Sequence, residues 1–207
     1  MRVQPVMLEG NYVRLEPLSL VHHESLSQVG LDGDLWRLSP MVVLSAEDMR
    51  GYIETALREQ ADGTALPFAI VERASGTAVG STRYGNIDPA HRRVEIGWTW
   101  IGRPWQRTRV NTESKYLMLR HAFETLGCIR VEFKTDVLNE RSRRALLRIG
   151  AKEEGIFRNH MVTSTGRIRD SVYYSIVDRE WPEVKRRLAE LLGTWQTEKP
   201  QSVNMEI

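Results

Sequence analysis

An apolar strand that turns through two arginines into an amphipathic helix constrains this chain more than any other feature. Val94 to Ile101 is rich in β-branched and aromatic residues and reads as a strand. Trp105-Gln106-Arg107-Thr108-Arg109-Val110-Asn111-Thr112-Glu113 follows. A helix is expected over about Thr112 to Leu126, with Asn111 as its N-cap and Leu119, Ala122, Phe123 and Leu126 as its buried stripe. A helix mouth presents unpaired backbone N–H groups and the positive end of the helix dipole. Joined to arginines, it suits a phosphorylated ligand. An ordinary capped helix with solvated arginines fits the same residues.

The flanking pattern is mixed. Tyr12 to Leu18 alternates like a strand, and Ser19 opens a weak helix through His22, His23, Leu26 and Val29. Leu31 to Leu44 reads as a loop that leaves Trp36 in a mobile place. Ser45 to Asp48 starts a stronger helix, with Met49, Tyr52, Ile53, Ala56 and Leu57 on one face. Phe68 to Glu72 and Ala78 to Tyr84 form an antiparallel hairpin ahead of Val94 to Ile101. In that third strand, strict alternation puts Val94, Ile96, Trp98 and Trp100 on one face and Glu95, Gly97, Thr99 and Ile101 on the other. Ile129 to Thr135 is the next strand, and Asn139 caps a short helix that ends at Gly150. A strand pair, Ile156 to Met161 and Val172 to Val177, and a helix over Glu183 to Leu192 complete the pattern. With no repeat or linker, residues 1–195 are expected to be one domain and 196–207 a flexible tail.

The totals exclude several classes. A formal net charge of +2 gives no global field for nucleic acid. The lone cysteine, Cys128, cannot form an intrachain disulfide and reads as a buried, inert thiol. Adjacent His22 and His23 cannot face one another on a helix, so no metal site is expected. No apolar run approaches membrane-spanning length and no signal-peptide core is present, so the default expectation is a cytoplasmic protein with no membrane partner.

Three stretches carry a resemblance. Glu95-Ile96-Gly97-Trp98, then Gln106 to Glu113, then Asn139-Glu140-Arg141-Ser142 followed by Ile149-Gly150-Ala151 together resemble the GNAT superfamily of acyl-CoA-dependent N-acyltransferases, most closely its RimL-type branch of ribosomal-protein N-acetyltransferases. The resemblance covers about Asn11 to Asp178. It implies an α+β fold with a mixed, mostly antiparallel sheet of about seven strands, helices on both faces, and a splay between the Val94–Ile101 and Ile129–Thr135 strands. It implies acetyl-CoA as acetyl donor, with the pantetheine arm along Trp98, Thr99, Trp100 and Ile101. The pyrophosphate is expected on the loop Gln106, Arg107, Thr108, Arg109, Val110, Asn111 and Thr112. Where relatives carry glycine, this chain has Arg109, and where they carry glycine or alanine it has Asn111. Arg109 either compensates with a phosphate contact or blocks the site. Relatives are often dimers, so a homodimer is implied, with the C-terminal segment as a candidate swapped arm.

Acyl transfer from a thioester to an amine needs a deprotonated amine, a donor for the oxyanion and a proton for the departing thiolate. Ser142, matched to the serine of the Asn-x-x-Ser start, is the expected donor to the thiolate; a packed first-turn residue is the alternative. Asn139 serves as N-cap, as a ligand contact, or as both. Glu95 is the candidate base and acceptor-side residue, unless an ion pair with Arg93 or Arg130 occupies it. Trp36 is the candidate acceptor-pocket residue. Arg143 and Arg144 either hold the nucleotide's phosphate or lie on a solvated face. The expected activity is transfer of acetyl to a primary amine, a protein N-terminus or a small molecule, by direct attack in a ternary complex. The rivals are a GNAT fold that binds CoA without turnover and a ribosome- or RNA-associated protein using Arg103 to Arg109 and Arg141 to Arg148.

Overall fold

Alternating apolar residues in the middle of the chain build one mixed sheet with helices on both faces. The structure, a computed structural model, describes residues 1–193. The strands are β1 (Leu8–Glu9), β2 (Val13–Pro17), β3 (Leu66–Glu72), β4 (Ala78–Asp88), β5 (Arg93–Ile101), β6 (Arg130–Asp136), β7 (Lys152–Val162) and β8 (Ile168–Val177). Their order is β1-β2-β3-β4-β5-β6-β8-β7, eight strands where about seven were expected. The addition is the two-residue β1, too short to leave an alternation signal. Only β5 and β6 run parallel among the described pairs, and their pairing stops after three residues, Arg93–Glu95 with Arg130–Glu132. Beyond that point the two strands part.

The helices are α1 (His23–Gly30), α2 (Gly33–Trp36), α3 (Ala46–Ala61), α4 (Arg109–Arg120), α5 (Glu140–Arg148) and α6 (Trp181–Leu192). Ser45 and Asp48 form a reciprocal capping box at the start of α3, as the sequence suggests. Its stripe, Met49, Tyr52, Ile53 and Ala56, packs with Leu26, Trp36 and Trp100 under one face of the sheet. Helices α4, α5 and α6 cover the other face, where Leu117, Met118, Leu146, Val184 and Leu188 meet Phe68, Tyr84, Val131 and Phe133. Each such fully buried large side chain contributes about 1.5–3 kcal/mol.

Two expectations need correction. The stretch with Trp36 is not a mobile loop: α2 forms there, capped by Asp32. Trp36 is only 3% exposed and donates its indole N–H to the Gly30 carbonyl at 2.7 Å. Helix α4 also starts three residues earlier than Thr112. Thr108, not Asn111, is the N-cap and accepts from the Val110 N–H at 3.3 Å. After Arg120 the helix widens into a π-helical turn, His121–Thr125, before Gly127 reverses the chain. The proposed tail, 196–207, lies outside the described residues.

Candidate active site

A bulge in β5 shapes the cleft. Ser81 on β4 pairs with Trp100 and Arg83 pairs with Gly97, so two steps on β4 face three on β5. Trp98 takes up the extra residue with φ of 50°. The bulge breaks the expected alternation. Up to Ile96 the pattern holds, with Val94 and Ile96 facing α4. Past the bulge Trp98 and Trp100 turn to the α3 face with Glu95, while Thr99 and Ile101 join the α4 side. A Cβ at Gly85 would stand 2.3 Å from the Trp98 ring, so glycine there makes room for the displaced indole.

Where β5 and β6 part, a cleft of about 650 Å³ opens. Its walls include Trp98, Thr99, Trp100 and Ile101 from β5, Phe133 to Asp136 from β6, the loop before α4, and α5. Among the described residues, the edge of β5 beyond Glu95 has no strand partner on this side. Its backbone groups are therefore available to an extended ligand carrying amides. Trp100 adds a buried indole N–H that has no hydrogen-bond partner among the described residues. The open strand edge suits the amide-bearing arm of an acyl-CoA, and the helix mouth with its adjoining arginines suits the pyrophosphate.

The loop residues divide by helix geometry. Gln106, Arg107, Thr108 and Asn111 line the cleft. Gln106 donates to the Ile101 carbonyl at 2.8 Å and accepts from Arg141 at 2.5 Å, tying β5 to α5. Arg109 and Val110 face a separate groove with Tyr12 and Glu72. The Arg109 guanidinium lies 4.8 Å over the Tyr12 ring and donates to its hydroxyl at 2.5 Å. The expected choice between phosphate contact and plug is thus replaced: the Arg109 side chain does neither. As the first residue of α4 it also has no need of glycine's backbone freedom. That freedom is drawn on at Arg107, whose φ is 62°. Thr112 is buried and receives a hydrogen bond from Arg148 at 2.8 Å.

Across the cleft, Asn139 caps α5 by accepting from the Ser142 N–H at 3.0 Å. Both residues line the cleft, and among the described residues the Ser142 hydroxyl makes no hydrogen bond. Arg144 lies at the rim, paired with Glu140 at 3.0 Å. Arg143 is turned away onto the Tyr174 hydroxyl (3.2 Å), the Val137 carbonyl (3.3 Å) and Glu153 (3.4 Å), so it is no phosphate ligand. Trp36 and Tyr52 also line the cleft, and the Trp36 and Trp100 ring centroids lie 5.5 Å apart.

Glu95 does not line the cleft. It is 2% exposed, accepts from Asn86 at 2.8 Å and pairs with Lys134 at 3.4 Å. Its partner is neither Arg93 nor Arg130, which instead meet at Glu132. Burial pushes the Cys128 thiol up to about 11, in keeping with an inert cysteine.

Sequence reasoning missed Lys115. It is 6% exposed and lines the cleft one helical turn after Asn111. Its Nζ donates to Thr99 Oγ1 at 2.8 Å, and Thr99 Oγ1 lies 2.7 Å from Thr82 Oγ1. Burial alone lowers its pKa to about 7. The signal was present: Lys115 extends the stripe of Leu119, Ala122 and Leu126 one turn toward the N-terminus, where an apolar residue is expected.

Residues 13–152 match the family described as the acetyltransferase (GNAT) domain. The chain is 36% identical over 106 residues to the Bacillus subtilis (strain 168) protein named "Putative ribosomal N-acetyltransferase YdaF". That alignment covers 51% of this chain and 57% of the relative, so the chain spans little more than half the length of this curated relative. A GCN5-related N-acetyltransferase from Brucella melitensis superposes with a TM-score of 0.85 at 33% identity, over 92% of this chain and 86% of that one. Mycobacterium smegmatis RimJ, solved in complex with CoA-disulfide, shares the fold with a TM-score of 0.76 at 24% identity, over 91% and 93% of the two chains. By domain match, relatives and fold, this chain belongs to the GNAT acetyltransferase family.

Proposed function

We propose that the protein transfers an acetyl group from acetyl-CoA to a primary amine, by direct attack while donor and acceptor share the cleft. The observation that carries this reading is the parting of β5 and β6 onto the mouth of α4, which leaves one strand edge unpaired beside a helix N-terminus. In it, β5 from Trp98 to Ile101 holds the donor's amide arm. Backbone and side chains of Gln106, Arg107, Thr108 and Asn111 receive the pyrophosphate, with Arg144 at the rim. Ser142 hydrogen-bonds the thioester sulfur. Glu95, already paired, positions Lys134 and Trp98 rather than accepting a proton, and the acceptor's proton leaves through water. Trp36 and Tyr52 receive the acceptor, so an amine carrying an apolar or aromatic group is favoured. The similarity to a Bacillus subtilis protein named a putative ribosomal N-acetyltransferase makes peptides the first acceptors to try.

The position of Arg109 against Tyr12, outside the cleft, supports the catalytic reading over the non-catalytic alternative. The RNA-binding alternative is weakened too. Arg103 is paired with Asp32 and Asp34, Arg109 is stacked on Tyr12 and Arg143 meets Glu153, so the arginines form no continuous stripe. We further propose a homodimer through the β7–β8 hairpin, which exposes Ile156, Phe157, Val162 and Ile168. Sedimentation that returns only monomer at micromolar concentration removes that part. The catalytic reading is tested by thiol release from acetyl-CoA with a panel of N-terminal peptides and small amines. Acceptor-dependent release is expected; tight acetyl-CoA binding without release on any acceptor would point back to a binding module.

A further inference from the structure

Lys115 is a buried amine that forms no ion pair among the described residues. Thr99 of β5, itself hydrogen-bonded to Thr82 of β4, meets it, and the Phe133 ring of β6 lies 5.9 Å from Nζ. The carboxylates on its own helix and on the neighbouring strands are all occupied. Glu113, on the same helix, accepts the backbone N–H groups of Asn11, Tyr12 and Val13 at 2.8, 2.6 and 2.7 Å. Asp136 binds Arg167 and lies 3.8 Å from Arg169. Glu95 is held by Lys134 and Asn86. From α5, Arg148 is engaged with Thr112 and Ser142 brings a neutral hydroxyl. No carboxylate among the described residues lies within ion-pair reach of Lys115.

An ammonium buried against hydroxyls and a ring is costly unless an anion arrives. Acyl transfer delivers one at the cleft when the carbon–sulfur bond breaks. Ser142 alone cannot complete that step, because a hydroxyl is a weaker acid than a thiol: it can hydrogen-bond the sulfur but not supply its proton. We propose that Lys115 is a catalytic residue that protonates the departing sulfur. This deepens the acetyltransferase reading and rests on it. The acceptor nitrogen forms the bond to the acetyl carbon, and the carbon–sulfur bond breaks with its electron pair on sulfur. One Nζ proton then passes to that sulfur. The acceptor nitrogen's proton goes to water in the cleft, and the same water returns a proton to Lys115. A lysine whose pKa burial has lowered to about 7 gives up its proton far more readily than an exposed one. Thr99, held by Thr82, fixes the direction of the Nζ.

Two CoA analogues separate the charge at sulfur from the rest of the ligand. CoA oxidised to its sulfonate carries a fixed negative charge where the thiolate forms, and desulfo-CoA carries none. Isothermal titration of wild type is expected to favour the sulfonate by at least about tenfold. Lys115→Met keeps the length and removes the charge. It should abolish that preference, leave desulfo-CoA affinity within about threefold, and lower single-turnover acetyl transfer on the order of a hundredfold. The wild-type rate, with an acceptor uncharged throughout, should fall as pH rises through the Lys115 titration, and the variant should lack that limb. A retained sulfonate preference in Lys115→Met, or an unchanged pH limb, would overturn the role of Lys115 while leaving CoA binding intact. Failure of both analogues to bind wild type would overturn the acetyl-CoA reading along with it.

Discussion

Two lysines stand on opposite faces of the sheet where β5 and β6 diverge, and their surroundings differ in kind. Lys134, on the α3 side, meets Glu95 at 3.4 Å and lies over the Trp98 and Tyr173 rings. Lys115, on the α4 side, has Thr99 and no anion. A paired buried charge is a finished piece of structure: it fixes the bulged strand and needs nothing from a ligand. An unpaired one stays charged only at a cost, which loss of its proton or the arrival of an anion relieves. The contrast assigns positioning to one face and reaction to the other.

The largest effect that would break this contrast is on stability. Lys134→Ala strands the Glu95 carboxylate in the interior, and removing one member of a buried pair costs about 3–5 kcal/mol. Urea unfolding that shows a loss below about 1 kcal/mol would mean the pair is not structural. Next in size, Ser142→Ala should lower kcat on the order of tenfold to a hundredfold, with acetyl-CoA affinity held within about threefold. A drop smaller than about threefold returns Ser142 to a packed first-turn residue.

Lys115→Met is expected to move stability the other way, by about 1–3 kcal/mol of gain. The sign follows from the direction of the shift. The folded pKa is lowered to about 7 while the unfolded value stays near 10.4, so the unfolded chain binds more protons between them. Lys115 therefore destabilises the fold fully below the folded value, and this penalty fades as pH rises toward the unfolded one. The gain from the methionine should be largest in acid and vanish near pH 10; a gain that grows with pH contradicts it. The smallest effect is at Arg109. Arg109→Gly should change acetyl-CoA affinity by less than about threefold, because the guanidinium lies on Tyr12, and should cost roughly 1 kcal/mol through the lost ring contact and a glycine in the helix's first turn.

Much of the fold was legible because it is written in local periodicity. The Ser45–Asp48 capping box, the Asn139 cap and the hairpin of β7 and β8 all follow from short-range chemistry. Most of the cleft was legible too: Trp36, Trp98, Thr99, Trp100, Ile101, Gln106, Asn139 and Ser142 line it. What the sequence hid depends on parity and phase. The bulge at Trp98 adds one residue to β5 and swaps the faces of everything after it, which strict alternation cannot foresee. Helix α4 begins at Arg109 rather than Thr112, which rotates Arg109 out of the cleft and brings Asn111 and Lys115 into it. Glu95 found its partner at Lys134 on β6, the same strand as Arg130 but four residues further along, a choice set by side-chain direction and not by proximity in sequence.

The account stands on acetyl-CoA occupying the opening between β5 and β6. Hydrogen exchange with and without acetyl-CoA locates the ligand directly. Protection is expected in Gly97 to Ile101 of β5 and in Gln106 to Asn111 at the mouth of α4, with the groove around Tyr12 and Glu72 unchanged. Protection centred on that groove, or none in β5 at saturating ligand, would contradict it.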